Sequence, residues 1–93
     1  MDETLAERIR QAAEVLKAYG AKEVYVFGST AAGRMDEDSD VDMAVAGLPA
    51  ELFFKAWARA VRVFDREMDL IRLEQETAFT RHLKRNGELR RVG

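Results

Sequence analysis

The sequence predicts an α/β (α+β) domain of two layers. Three observations carry this: short β-branched and aromatic runs alternate with segments of helical periodicity, glycine or proline separates them, and no repeat or linker composition interrupts the chain. At 93 residues the chain suits one small domain, 1–93, burying somewhat over ~60% of its unfolded surface in one core. Residues 3–19 carry Leu5, Ile9, Ala12, Ala13, Leu16 and Tyr19 at three- and four-residue steps, and Gly20 supplies the stop. Residues 23–27, "EVYVF", read as a buried strand ending at Gly28. "STAAG" then allows one or two helical turns, with Ser29 as N-cap and Gly33 as terminator. Residues 40–46 alternate, placing Val41, Met43 and Val45 on one face and Asp40, Asp42, Ala44 and Ala46 on the other. Pro49 suits a first helical turn, and 50–64 carry Phe53, Ala56, Trp57, Ala60 and Phe64 at helical spacing. A third strand over 67–73, "EMDLIRL", a helix over 74–85 ended by Asn86 and Gly87, and a tail "ELRRVG" complete the order, three strands with helices between them.

Composition narrows the function classes. The chain is 47% hydrophobic and 34% charged with one proline, as in globular rather than disordered segments. A net charge of −2 gives the molecule no general attraction to nucleic acid or an anionic membrane, so nucleic acid is not expected as a direct ligand. No apolar run approaches the ~18 residues of a membrane span, and "MDETLAERIR" is acidic where a signal peptide is basic, so a cytoplasmic location is expected. The absence of cysteine excludes disulfides and thiolate metal sites, and a single histidine, His82, argues against an imidazole-rich one. Any metal is bound by oxygen.

Asp36, Glu37, Asp38, Asp40 and Asp42 crowd into seven positions. Asp36, Glu37 and Asp38 read as a solvated loop. Asp40 and Asp42 differ, because a pleated strand holds both carboxylates on one side with Cα atoms roughly 6.5–7 Å apart. Two carboxylates about 4 Å apart repel by on the order of 4 kcal/mol at an effective dielectric near 20. A divalent cation relieves this, and Mg²⁺ or Mn²⁺ suits carboxylate oxygens. A calcium loop of EF-hand type fails, because its sixth position is Val41 rather than Gly and its twelfth is Gly47 rather than Glu. A phosphatase-like DxD fails on order, since the apolar strand follows the acids; GxGxxG and the Walker lysine are absent. A strand breaking at Gly28-Ser29 into a helix offers backbone N–H groups and a hydroxyl to phosphate oxygens, although Gly-Ser at such a turn is commonly only a turn.

Gly28-Ser29, ten intervening residues, then Asp40-Val41-Asp42 entering an apolar strand resembles the signature of minimal nucleotidyltransferases of the DNA polymerase beta superfamily. The resemblance runs through the leading helix, the GS turn, "SDVDMAV", the crossing helix, "REMDLIRL" and the last helix. It implies a nucleotidyltransferase fold, a small mixed β-sheet of about three strands packed against helices, with Asp40 and Asp42 on one strand and a third carboxylate, Asp69, on its neighbour. Asp69 shares a strand face with Ile71 and Leu73, where an acid is rarely left unpaired; a salt bridge to an Arg such as Arg62 or Arg72 is the lesser alternative to a site role, and Glu67, at the strand edge, is the fallback third acid. Members often read Gly-Ser-x-Ala-Arg-Gly; here Ala32 stands in the Arg position, and Arg34 is the candidate replacement.

The resemblance further implies two Mg²⁺ ions, with Mn²⁺ as substitute, on the catalytic and metal-binding Asp40, Asp42 and Asp69, and a triphosphate on Gly28, Ser29 and Arg34. Small members resemble the MNT antitoxins paired with HEPN toxins, which implies transfer of AMP from ATP to a hydroxyl of a HEPN-type toxin partner. The alternative is a non-catalytic antitoxin that neutralises its partner by docking. Leu52, Phe54 and Val63 lie off the main apolar stripe of the crossing helix and are either partner contacts or core. Arg81, Lys84, Arg85, Arg90 and Arg91 form a basic stretch that reads first as a solvated helix face, with contact to nucleotide phosphates, RNA or an acidic partner as the alternative.

Overall fold

The computed structural model describes residues 3–34 and 39–93. Helix α1, Glu3–Ala18, turns its Leu5, Ile9, Ala12, Ala13 and Leu16 stripe inward, as its periodicity requires. Strand β1, Glu23–Val26, runs into α2, Gly28–Ala32, and β2 follows as Val41–Ala46. The crossing helix is less regular than its spacing predicts: a 3₁₀ turn, Ala50–Leu52, leads into α3, Phe53–Ala60, and a second 3₁₀ turn, Val61–Val63, closes it. Strand β3 is Met68–Arg72, α4 is Ala78–Arg85, and β4 is Arg90–Arg91.

The sheet has one strand more than expected, in the order β3-β2-β1-β4. The strand β4 comes from the presumed tail: it pairs antiparallel with β1, Tyr25 opposite Arg91 and Val26 opposite Arg90. The pair β1–β2 is antiparallel, whereas β2–β3 is parallel, as the intervening crossover helix α3 demands. Val24, Val26, Val41, Met43, Val45, Met68 and Leu70 make one face, packed on α1 and α3. The opposite face is apolar too, but smaller. Phe27, Ala44 and Leu73 close there against Leu83 of α4, so helices flank both faces and a partial third layer replaces the expected two.

Two expected boundaries move for local reasons. Helix α4 starts at Ala78 rather than 74, because Thr77 caps it reciprocally: Thr80 N–H donates to Thr77 Oγ1 at 3.1 Å, and Thr77 N–H donates to Thr80 Oγ1 at 3.0 Å. Ser29 is not an N-cap but lies inside α2, whose N-cap is Phe27 with no side-chain bond. Gly33 does end α2, in the left-handed region at φ 73°. Asp36, Glu37 and Asp38, expected as loop, lie outside the described residues.

Candidate active site

The turn from β1 into α2 builds one wall of the site. Gly28 takes φ +61°, and a Cβ placed there would sit 3.0 Å from Asp42 Oδ2. Glycine is therefore required twice, by backbone conformation and by the approach of the carboxylate. Phe27 N–H donates to the Asp42 carbonyl at 3.1 Å, continuing the β1–β2 ladder. The Asp42 N–H donates to Thr30 Oγ1 at 3.0 Å, and Thr30 is fully buried. Arg34 folds back on the turn, its N–H donating to the Ser29 carbonyl at 3.0 Å.

Strand register builds the other wall. In the parallel β2–β3 pair Asp42 lies directly beside Asp69, with Val41 beside Met68 and Met43 beside Leu70. Neighbouring strands run about 4.8 Å apart, so two carboxylates emerge side by side on one face. Asp42 is half-buried while Asp69 and Asp40 are exposed. Burial, then the charge of Asp69, then that of Asp40, push the Asp42 carboxyl above its ordinary range. The salt bridge weighed for Asp69 does not form: among the described residues neither Arg62 nor Arg72 pairs with it. Arg72 lies beside Val45, on the opposite face of β3. Trp57 Nε1–H donates to the Met68 carbonyl at 2.7 Å and so ties α3 to the residue before Asp69.

A cleft of about 580 Å³ opens over this face, lined by Asp42, Asp69, Phe27, Trp57, Phe79 and Glu88 among others. A second, of about 420 Å³, contains Gly28, Ser29, Arg34 and Arg90. Gly28 and Glu88 line both, so an acidic end and a basic end share a boundary. Of the expected site residues, Gly28, Asp42 and Asp69 meet in the first cleft, and Gly28, Ser29 and Arg34 in the second. Asp40 lies just before β2 and lines neither, though its charge reaches Asp42. Among the described residues no three acids form a ready-made metal cage. The donor set is open and all-oxygen, with paired carboxylates that repel. That fits a hard divalent cation that takes one or two carboxylates and completes its shell with water and substrate phosphate.

Several residues in or behind these clefts were not assigned to the site by the sequence reading. Thr30 and Trp57 act through partners 12 and 11 residues away, and no local pattern announces such pairs. Arg90 and Glu88 belong to the presumed tail, which β4 brings back beside the turn. The rest of the basic stretch is partly structural: Lys84 Nζ donates to the Leu73 carbonyl at 2.8 Å, and Arg91 lies 3.8 Å from Glu23. Of the off-stripe residues, Leu52 and Val63 are half-buried and Phe54 stays 75% exposed, stacked near Trp57 with ring centroids 6.3 Å apart.

The family described as polymerase beta, nucleotidyltransferase matches residues 10–89. A structure assigned as a minimal nucleotidyltransferase superposes with a TM-score of 0.78 at 26% identity, covering 97% of this chain and 95% of that one. A toxin-antitoxin crystal structure with AMP-PNP gives 0.72 at 18% identity, over 95% of this chain and 72% of that one. The toxin-antitoxin MntA-HepT gives 0.67 at 15% identity, over 94% and 70%. No curated protein matches the chain in sequence. The last two similarities speak for the fold, while the family match spans nearly the whole chain, from within α1 to the residue before β4: the protein belongs to the polymerase beta nucleotidyltransferase family.

Proposed function

We propose that the protein is a metal-dependent nucleotidyltransferase that moves a nucleoside monophosphate, AMP from ATP, onto a hydroxyl of a partner protein, and that it serves as an antitoxin modifying a HEPN-type toxin. The observation that carries the reading is the side-by-side register of Asp42 and Asp69 at the Gly28 turn. The similarity to toxin-antitoxin structures, one with AMP-PNP, supports the nucleotide and the class of partner. Residues 1–93 act in this reading as one catalytic domain in the cytoplasm; among the described residues no helix is long and apolar enough to cross a membrane.

In the reaction the acceptor oxygen attacks the α-phosphorus, the bond from that phosphorus to the β-phosphate bridging oxygen breaks, and pyrophosphate leaves. Asp40 and Asp42 would hold two Mg²⁺ ions, and Asp69 would complete the donor set. When bound, the metal spreads the charge that accumulates on the phosphoryl oxygens and acidifies the attacking hydroxyl. Gly28 lets the β- and γ-phosphates approach the backbone closely, and Ser29 binds them. Arg34 neutralises part of their charge in the place of the family's frequent arginine. The exposed carboxylate of Asp69 takes the hydroxyl proton. Phe27, Phe79 and Trp57 give the cleft an apolar wall that keeps water from competing as acceptor.

A transfer assay tests this directly, using each nucleoside triphosphate labelled at the α-phosphate, Mg²⁺ and the product of the adjacent gene. Label should move to the partner with the wild type and ATP, and not with Asp42→Asn. Tight binding that leaves the partner unlabelled would instead establish neutralisation by docking.

A further inference from the structure

The β1–β2 ladder stops at Asp42 in an unusual way. Phe27 N–H donates to the Asp42 carbonyl, and in a hydrogen-bonded antiparallel pair the return bond would run from Asp42 N–H to the Phe27 carbonyl. That carbonyl is already engaged: it accepts from Ala31 N–H at 3.3 Å as α2 begins. Thr30 Oγ1, fully buried, takes its place and accepts from Asp42 N–H at 3.0 Å. Both polar groups of the Asp42 backbone are thus held by one short segment, and that segment also carries Gly28 and Ser29.

We infer that Thr30 is a positioning residue, through which an anion seated at the Gly28-Ser29 turn and a cation seated at Asp42 favour each other. This rests on the nucleotidyltransferase reading of the site. A shift of α2 is passed to Asp42 through the Thr30 hydroxyl, which accepts from its N–H, and the space a Cβ at Gly28 would need is filled by its carboxylate. Coupling of this kind is reciprocal: whatever the metal does for triphosphate affinity, the triphosphate does for metal affinity. A hydroxyl that only satisfies a buried amide would leave this coupling untouched.

Thr30→Val keeps the shape and removes the acceptor, whereas Thr30→Ser keeps the acceptor. Calorimetry with a non-hydrolysable ATP analogue, with and without Mn²⁺, gives the factor by which metal tightens binding. The wild type and Thr30→Ser should show about tenfold or more, and Thr30→Val less than about threefold. Amide hydrogen exchange supplies a readout independent of any ligand: the Asp42 amide should exchange at least about tenfold faster in Thr30→Val, with Val24 and Val45 unchanged. An unaltered metal factor in Thr30→Val, an unaltered Asp42 amide, or loss of coupling in Thr30→Ser each overturns the inference alone. Absence of coupling in the wild type overturns it together with the functional reading. Should Thr30→Val fail to fold, Thr30→Ala and Thr30→Ser are compared in the same way.

Discussion

The space beside Gly28 belongs to the Asp42 carboxylate, which leaves no room for a side chain there. In Gly28→Ala an L-residue would occupy the left-handed region at a cost of about 1–2 kcal/mol, and its methyl group would press on Asp42 Oδ2 at 3.0 Å. Thermal denaturation should show a lower Tm, and transfer should be lost because the carboxylate is displaced. Asp42 makes a contrasting prediction. Its carboxyl is raised by burial, then by Asp69, then by Asp40. A raised folded-state value means that the protonated form carries the stability: it is fully present below the ordinary carboxylate range and lost as pH rises through the raised value. Near neutral pH, ionised Asp42 therefore weakens the fold. Without divalent cation, Asp42→Asn should be at least as stable as wild type near neutral pH, with the difference closing below about pH 4. Urea unfolding across that range checks it, and a large loss of stability would give Asp42 a structural role. Asp42 was legible because strand alternation separates it from its apolar neighbours. Thr30 was not, because a threonine hydroxyl shows nothing of its partner until β1 and β2 pair.

At the level of elements, α4 is the piece whose start the sequence concealed. Glu74 and Glu76 resemble the acidic first turn of a helix, but Thr77 and Thr80 satisfy each other's N–H groups and delay the start to Ala78. Thr80 Oγ1 also donates to the Gln75 carbonyl at 2.6 Å, which holds the preceding turn. Thr77→Ala should cost about 1 kcal/mol, read as a lower urea midpoint with an unchanged slope. Helix α4 places Phe79 edge-on to Phe27, ring centroids 5.6 Å apart, so loosening its first turn should also raise KM for the triphosphate. The apolar spacing of α3 was clear, but its 3₁₀ ends were not. They arise where the chain must turn sharply into and out of the crossover between β2 and β3.

For the whole molecule, the controlling feature is the parallel pair β2–β3. It brings Asp69 beside Asp42 across 27 positions of sequence, and it does so only in this register. A slip of one residue would send Asp69 to the opposite face. A cation and triphosphate that bind the folded chain alone should stabilise it by about 2.7 kcal/mol at a hundredfold excess over Kd. Differential scanning fluorimetry with Mg²⁺ and a non-hydrolysable ATP analogue should show that rise in Tm in the wild type. Asp42→Asn should lose most of it. A gain with the analogue alone and none added by Mg²⁺ would count against a carboxylate metal site.

The sequence by itself determined the period of each main element and the two faces of β2. Each is written in residues a few positions apart, where steric and hydrophobic preferences act locally. Only the tertiary structure decided that Asp69 escapes Arg62 and Arg72, that Thr30 holds Asp42, and that Arg90 returns on β4 to the edge of the turn. Strand partners and their register are chosen by burial summed over the whole core, which no local stretch records.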